Sequence, residues 1–420
     1  MVGDESFVLS EIIDSYFLFG YNRTNVPIEG VSIMYRGKRV SFHASKEAID
    51  RLFACNRLSA YVWNACLEVA KNHHLQAGKW INRTHLQQAI KKMVPLHSQS
   101  IQAVAHNYLD ARDSTKKARE KGISTARYPY KKKRHYNTKW VDKAFKIEGN
   151  KITLSMGAKR KPIVVFVSDL PSGDIKEIEL CYDNGLYLSV SFDDGQLPEE
   201  RVGTQEAGVD MGEIHSFASI AENGEGVILS GRKLRSIHRF RNQKLKELQR
   251  KMSKCKKGSN QWKKYQRAKK YILSKSDKQL RDASHKITRN FMEWAVEESV
   301  HTLHVGDARN VSKHTKKRKR LNRTNRQKMS NWNVGQLLGY LVYKAEATGI
   351  QVVLVDESYT TQTCPVCQNR RKPSGRTYTC SCGYEAHRDL HGAANILTKS
   401  KYKKMLPVPT SKKITYLRVA

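Results

Sequence analysis

Apolar and polar positions alternate in two different periods over the first two hundred residues. Residues 31–42 alternate loosely around a central glycine, which predicts a short hairpin or a bulged strand. Apolar residues recur at helical spacing over 46–75 and 98–120, and we interpret both stripes as core-facing. Residues 150–193 return to a strand pattern, in which Asp183-Asn184-Gly185 supply the left-handed turn of a hairpin.

The second half of the chain alternates strands with helices, which is an α/β pattern. The predicted elements are a strand that ends in Asp210, a glycine turn with a returning strand up to 231, basic helices over 232–299, a strand over 301–307, a helix over 333–349, an apolar strand over 350–357 and a last helix over 388–399.

The charge of the chain points to a polyanionic partner. Among 420 residues, 76 are Lys or Arg and 39 are Asp or Glu, which gives a formal net charge of +37. Such an excess repels itself unless a polyanion neutralises it, and nucleic acid is the usual one. A membrane surface is the alternative, but no run of about 18 apolar residues is present and the first twenty residues lack a basic signal-peptide start. We therefore expect a cytoplasmic nucleic-acid-binding protein without a membrane partner.

Residues 126–140 interleave basic and aromatic side chains, a mixture that contacts phosphates and stacks on bases. A solvated loop is the alternative interpretation. A second basic run, 313–330, is either a loop ordered by nucleic acid or a disordered tether. The candidate nucleic-acid contacts in the first stretch are Tyr128, Tyr130, Lys131, Lys132, Lys133 and Arg134.

Four of the eight cysteines form two close pairs, Cys364-x-x-Cys367 and Cys380-x-Cys382, separated by twelve residues. Thiolate pairs at this spacing form a tetrahedral zinc site, which is structural because four protein ligands leave no open position. The second pair is one residue short of the usual spacing, so His387 remains an alternative ligand.

Two acidic residues lie at the ends of predicted elements. Taken alone, Asp210 is an ordinary turn residue and Asp389 an ordinary helix cap. A carboxylate at a strand end together with one on a covering helix is also how proteins hold Mg²⁺, and two such ions support phosphodiester cleavage. A zinc ribbon directly before Asp389 would then brace the helix that carries it.

The segments "GVDMG", "YKAEATGI", "YTTQTCPVC" and "YTCSCGYEAHRDLHGAANI" resemble the RuvC-like nuclease core and zinc ribbon of the TnpB family, transposon-encoded relatives of compact type V CRISPR effectors. The resemblance covers about 203–398, and "RYPYKKKR" extends it upstream. It implies an RNA-guided DNA endonuclease that cuts beside a short flanking motif. The implied partners are a guide RNA and a double-stranded DNA target, and the implied setting is a prokaryotic nucleoid, with a monomer favoured.

The resemblance also implies an α+β multidomain fold. The expected parts are a β-barrel-like wedge domain over 1–45 and 121–200, an inserted helical recognition domain over 46–120, a RuvC-like (RNase H-type) α/β nuclease domain over 201–361 and 384–400 with a basic helical insertion over 232–299, an inserted zinc ribbon over 362–383 and a C-terminal tail over 401–420.

One position departs from the family pattern. Gly306 stands where the family has a catalytic Glu, and the adjacent Asp307 would point to the opposite face of a strand. Glu357, at the end of the neighbouring apolar strand, is the best-placed substitute, and Glu346 on the preceding helix is less suited. The expected catalytic set is therefore Asp210, Glu357 and Asp389, holding two Mg²⁺ ions.

Two alternatives remain open at this stage. Without its third carboxylate the protein would be a nuclease-inactive, RNA-guided DNA binder that acts as a repressor. The charge and the zinc ribbon alone would also fit a DNA-binding transposase accessory protein without guide RNA. Arg388 either contacts the scissile phosphate or makes a salt bridge at the helix start.

Overall fold

The computed structural model describes residues 35–200, 203–308, 322–409 and 414–419. These form two compact units, one spanning Ile33–Gln196 and the other containing the described residues from Leu197 onward. The start of the strand predicted over 31–42 and the first half of the basic run 313–330 lie outside the described residues.

Three helices of the first unit follow the helical periodicity. They are α1 (Lys46–Ala77), α2 (Arg83–Ile90) and α3 (Ser98–Glu120). The Ser45 hydroxyl caps α1 by accepting the Ala48 N–H at 3.1 Å, and Gly78 ends the helix with a left-handed φ of 64°. The helices predicted over 46–75 and 98–120 are confirmed.

Eight strands of the first unit form two sheets. The strands are β1 (Tyr35–Val40), β2 (Phe42–His43), β3 (Thr138–Val141), β4 (Phe145–Glu148), β5 (Lys151–Leu154), β6 (Ile163–Val167), β7 (Asp174–Tyr182) and β8 (Leu186–Asp193). The strand orders are β1-β8-β7-β3 and β2-β6-β5-β4. Both sheets are open, so the described residues contain no closed barrel, and the barrel-like expectation is corrected to two four-stranded sheets.

The turn residues account for the predicted β7–β8 hairpin. Long-range strand pairing corrects the prediction made at Gly37. The β7–β8 hairpin is confirmed, with Asn184 at a φ of 53° in its turn. At Gly37 we expected a hairpin or a bulge, and this was wrong. Strand β1 continues through Gly37, which pairs with Ser191 in unbroken register, because its partner is the distant β8 rather than a neighbouring segment.

The second unit is built on one six-stranded sheet and a small two-stranded one. Its strands are β9 (Gln205–Asp210), β10 (His215–Ala221), β11 (Gly226–Ser230), β12 (Val300–Gly306), β13 (Gln351–Val355), β14 (Thr377–Thr379), β15 (Glu385–His387) and β16 (Ile414–Arg418). The large sheet has the order β13-β12-β9-β10-β11-β16. Strand β9 runs antiparallel to β10 and parallel to β12, so Asp210 ends a central strand.

Five helices accompany this sheet. They are α4 (Arg232–Met252), α5 (Asn260–Glu297), α6 (Arg323–Asn331), α7 (Val334–Ala347) and α8 (Arg388–Tyr402). Helix α8 lies directly on β9, where a Cβ on Gly208 would come within 2.0 Å of the Ala393 carbonyl oxygen. Glycine is required at this position because the two backbones approach so closely.

The segment expected to be a C-terminal tail contributes a strand. Residues 414–418 pair in parallel with β11 and extend the large sheet. The sequence analysis also missed β11, which is the second strand after Asp210. None of the helices in the described part of the chain combines the length and the apolar character needed to span a bilayer.

Candidate functional site

The structure brings Asp210 against the helix that carries Asp389. A Cβ on Gly392, one turn after Asp389, would lie 2.7 Å from Asp210 Oδ2, so the carboxylate rests on the helix backbone. Burial, together with the negative charges of Asp389 and Glu357, raises the pKa of Asp210 to about 8, although the nearby Arg388 lowers it in part. The other two predicted carboxylates therefore both act on Asp210 at one end of β9.

Glu357 fills the space beside Gly306. Strand β13 ends at Val355, two residues earlier than the strand we predicted, and Val355 pairs with Gly306. A Cβ on Gly306 would lie 3.0 Å from Glu357 Oε2 and 3.4 Å from Glu357 Cβ. Burial raises the pKa of Glu357, as do the charges of Asp307 and Asp356. The carboxylate of Glu357 thus occupies the position at which a side chain at 306 would begin.

Asp389 is held by a histidine that the sequence analysis did not single out. His215 Nδ1 lies 2.6 Å from Asp389 Oδ2, and His215 Nε2 lies 2.7 Å from the Tyr416 hydroxyl. Arg376 Nη1 is 3.6 Å from the same carboxylate oxygen. Burial alone would raise the pKa of Asp389, but the His215 hydrogen bond and the charges of His215, His387 and Arg376 lower it below its ordinary value.

The pKa values of the two aspartates are therefore shifted in opposite directions. Paired acids with such opposed environments are typical of functional sites rather than of ordinary surface charge. No local pattern could have predicted His215, because it is separated from Asp389 by 174 positions along the chain.

The four predicted cysteines converge. Cys364 Sγ lies 3.6 Å from Cys382 Sγ, and Cys367 Sγ lies 3.4 Å from Cys380 Sγ. All four sulfur atoms lie within 4.8 Å of one another, which suits a tetrahedral metal ion with sulfur–sulfur edges of about 3.8 Å. A hydrogen bond from the Cys382 backbone is the main cause that lowers the pKa of Cys380, to about 6, which favours a thiolate there.

The alternative zinc ligand, His387, lies elsewhere. It belongs to a second cluster with His215 and Asp389, whose ligand atoms are also within 4.8 Å of one another. The short Cys380-x-Cys382 turn is closed instead by Gly383, at a φ of 87°, whose N–H donates to the Cys380 carbonyl at 3.1 Å. The geometry therefore favours the all-cysteine set.

Hydrogen bonds and ring stacking attach the cysteine-bearing segment to α8. Asn395 Nδ2 donates to the Thr360 carbonyl at 2.7 Å and to the Thr363 carbonyl at 2.8 Å. The buried Tyr378 ring stacks on His391 with centroids 3.9 Å apart. These contacts involve the helix that carries Asp389, so the cysteine cluster and the carboxylates share one support.

The basic and aromatic segment is fixed to α1 at its centre. Asn64 donates to the Lys133 carbonyl at 2.9 Å and accepts the Lys133 N–H at 2.8 Å. Lys133 Nζ lies 3.8 Å from the Trp63 ring centroid and 4.1 Å from that of Tyr136, and burial lowers its pKa to about 8. The Lys133 ammonium is therefore directed at aromatic rings. Lys132 forms an exposed ion pair with Glu68 at 2.6 Å.

The other predicted contacts in this segment differ in exposure. The Tyr128 ring packs against Trp80 with centroids 4.7 Å apart, whereas Tyr130 is 57% exposed. Lys131 and Arg134 are exposed as well.

In the second unit, Arg388 is close enough to Asp210 to lower its pKa, and Arg388 Nε is buried without a hydrogen-bond partner among the described residues.

Two family models match this chain. Residues 188–312 match a model described as a probable transposase, and residues 335–396 match the TNB domain of Cas12f1-like proteins. The second match contains Glu357, the four cysteines and Asp389.

Individual proteins of the same two kinds are similar to this chain in sequence. A TnpB-like protein of Methanocaldococcus jannaschii is 27% identical over 274 residues, which cover 61% of this chain and 93% of the relative. The CRISPR-associated endodeoxyribonuclease Cas12f1 of Sulfoacidibacillus thermotolerans is 29% identical over 117 residues, covering 27% of this chain and 25% of that enzyme.

Solved structures share the fold at low sequence identity. The cryo-EM structure of a Cas12f1–sgRNA–target DNA complex matches with a TM-score of 0.60 and 13% identity over 84% of this chain and 83% of that one. The mini-RNA-guided endonuclease CRISPR-Cas_phi3 matches with a TM-score of 0.51 and 10% identity over 92% of this chain and 95% of that one. Taken together, the family models and the relatives show that segments of this chain are similar to TnpB-like and Cas12f1-like proteins, and the solved structures show that the fold is shared.

Proposed function

We propose that this protein is an RNA-guided DNA endonuclease that hydrolyses phosphodiester bonds at Asp210, Glu357 and Asp389. The observation that carries the proposal is the position of Glu357 Oε2, 3.0 Å from where a Cβ on Gly306 would lie. A carboxylate reaching this space from the end of β13 supplies the third acid that the family pattern places on β12. Helix α8 and strand β9 supply the other two.

The three carboxylates fit a site for divalent metal ions. Their mutual repulsion and burial raise the pKa of Asp210 to about 8, and a bound cation would relieve that repulsion. Carboxylate oxygens are the ligands that Mg²⁺ prefers, and Asp210, Glu357 and Asp389 would hold it. When bound, two such ions would activate a water molecule and stabilise the leaving oxygen.

The surrounding residues orient the carboxylates and the substrate. His215 holds Asp389 through the 2.6 Å contact, so the carboxylate does not need to reorganise during the reaction. Arg388 offers a guanidinium beside Asp210, where a scissile phosphate would need a cationic partner. A structural Zn²⁺ at Cys364, Cys367, Cys380 and Cys382 would fix the segment that Asn395 attaches to α8.

We infer that a guide RNA and double-stranded DNA are the partners. The net charge of +37 requires a polyanion, and the Cas12f1 of similar fold was solved as a complex with an sgRNA and a target DNA. Guide pairing would carry sequence specificity, while the protein would read the backbone and a short flanking motif. The domain boundaries inferred from the sequence, with helical recognition over 46–120 and a basic insertion over 232–299, belong to this proposal.

The first experiment is to sequence the RNA that co-purifies with the protein and then assay cleavage with that RNA. One dominant structured RNA with a variable end, and cleavage of DNA that matches this end, are expected. Glu357→Gln should lower the cleavage rate more than about 100-fold, since even partners outside the ligand shell cost 10–100-fold. Glu346→Gln, the same substitution on α7, is the matched control and should retain cleavage.

Gly306 supports a second candidate function. If the loss of the family Glu had inactivated the chain, the RNA-loaded protein would bind matching DNA without cutting it, as a repressor does. Wild-type binding without cleavage would establish that function and overturn the endonuclease. Recovery of only bulk ribosomal and transfer RNA fragments would contradict RNA guidance and favour a DNA-binding accessory protein.

A further inference from the structure

His215, His387 and Asp389 form a cluster of different chemistry from the three carboxylates. Each residue offers one potential ligand atom, and these atoms lie within 4.8 Å of one another. The closest pair, His215 Nδ1 and Asp389 Oδ2, is 2.6 Å apart. Two imidazoles and one carboxylate suit first-row transition metals, whereas Mg²⁺ prefers oxygen ligands alone.

The group behind the His215 imidazole is arranged as it is around metal-binding histidines. A metal-bound histidine usually uses its second ring nitrogen for a hydrogen bond that fixes the orientation of the ring. His215 Nε2 lies 2.7 Å from the Tyr416 hydroxyl, which leaves Nδ1 facing Asp389. His387 Nδ1 is buried and has no hydrogen-bond partner among the described residues. A buried ring nitrogen without a partner carries a desolvation cost that a bound ion would remove.

A cationic side chain already occupies this neighbourhood. Arg376 Nη1 is 3.6 Å from Asp389 Oδ2 and 3.5 Å from His215 Nδ1. The Arg376 side chain is 49% exposed, so it can leave without opening the core. The cluster therefore attracts positive charge, and Arg376 would compete with an ion for it.

We propose that His215, His387 and Asp389 form a binding site for a divalent first-row transition-metal ion. The site shares Asp389 with the proposed nuclease centre but does not require the chain to cleave DNA. Affinity at such a site rises from Mn²⁺ to Cu²⁺ and falls again at Zn²⁺, in the usual order for nitrogen and oxygen ligands.

The test uses the full chain with its cysteine site loaded with Zn²⁺ and without nucleic acid. Mn²⁺ is the probe, and pulsed electron paramagnetic resonance detects imidazole nitrogen bound to it. Wild type should show imidazole ¹⁴N coupling. His215→Ala and His387→Ala should each weaken that coupling and raise the Mn²⁺ dissociation constant at least about 10-fold. His135→Ala, at an exposed histidine of the first unit, is the control and should change neither.

A second variant separates a metal site from a merely structural role. Arg376→Ala should lower the Mn²⁺ dissociation constant, because the competing cation is gone, and a structural defect would not tighten binding. Bound Mn²⁺ without imidazole coupling, or unchanged affinity in both Arg376→Ala and His215→Ala, would overturn the site. These measurements do not use cleavage, so a nuclease-inactive chain would give the same result and the two proposals fail independently.

Discussion

The absent side chain of Gly306 sets how closely Glu357 approaches the other carboxylates. A Cβ at this position would lie 2.9 Å from Ile396 Cδ1 and 3.0 Å from Glu357 Oε2. Heavy atoms at these distances repel one another, so the side-chain ends of both Ile396 and Glu357 would have to shift. The geometry of the candidate site therefore depends on a residue that carries no functional group.

Gly306→Ala should consequently lower the cleavage rate of the RNA-loaded protein at least about 10-fold, since small displacements at an active site are costly. Gly37→Ala is the matched control, because Gly37 also lies within a strand and a Cβ there would have nothing within 4 Å. Cleavage assays under identical conditions compare the two. Equal rates for both variants would contradict the proposed position of Glu357.

Glu179 on β7 predicts a pH dependence of stability. It is 3% exposed, and burial raises its pKa to about 7 although Asn137 and Lys139 partly offset the effect. The folded chain thus binds this proton more tightly than the unfolded chain, so the stabilisation is full below pH 4.5 and is lost as the pH rises through 7. Glu179→Gln should gain stability relative to wild type between pH 5 and 7, by at most about 1.4 kcal/mol per pH unit.

Urea unfolding of both proteins across this pH range measures the difference. Glu148→Gln, at an exposed strand position, provides the comparison and should follow the wild-type profile. Parallel profiles for wild type and Glu179→Gln would show that Glu179 titrates normally.

At the scale of helices and strands, local periodicity was a reliable guide where each element packs by one face. The helices α1 and α3 and the β7–β8 hairpin follow from spacing and turn residues. The cysteine pairs and the end of β9 were also predictable, because each depends on residues that are close together in the sequence. The partner of β1, the strand β16 and the His215 contacts were not, because they depend on pairing between segments far apart in the chain.

The basic and aromatic segment contains both packed and exposed basic residues. Lys133 is held between Trp63 and Tyr136, whereas Arg134 is exposed. Arg134→Ala should weaken RNA binding and reduce the salt slope of log K by about 1, the value for one phosphate contact. Lys133→Met, which keeps the aliphatic packing and removes the charge, should leave that slope unchanged. Fluorescence titrations at several salt concentrations measure the salt slope of log K for each variant. A slope changed only by Lys133→Met would show that Lys133, and not Arg134, contacts a phosphate.

The attachment of the cysteine segment to α8 predicts which elements would become less stable if the proposed metal were removed. Cys382→Ser or chelation should increase amide hydrogen exchange at β14, β15 and the first turn of α8, because the metal-held turns support these elements. Exchange in β5 and β6 of the first unit should not change. Cys255→Ser, outside the cluster, is the matched control, and unchanged exchange in the Cys382→Ser variant would exclude a bracing role.

For the molecule as a whole, we expect the charge of +37 to dominate the proposed association with nucleic acid. Binding that neutralises 6–10 phosphates loses roughly 10³–10⁵ in affinity between 50 and 200 mM salt. We expect the affinity for a DNA duplex without guide RNA to fall by at least about 10³ over this range. Filter binding at graded salt concentrations measures the slope, and a nearly flat dependence would show that few of the basic residues contact phosphates.

The position of α8 over the centre of the sheet also determines when the candidate site can assemble during synthesis. Asp210 leaves the ribosome about 180 residues before Asp389, which at 5–20 residues per second is a delay of roughly 10–35 s. Until α8 emerges, the face of β9 at Gly208 has no cover and the carboxylates are not assembled. On the proposed function, a nascent chain that already exposes its basic helices to nearby nucleic acid would therefore be unable to cut it until α8 has emerged.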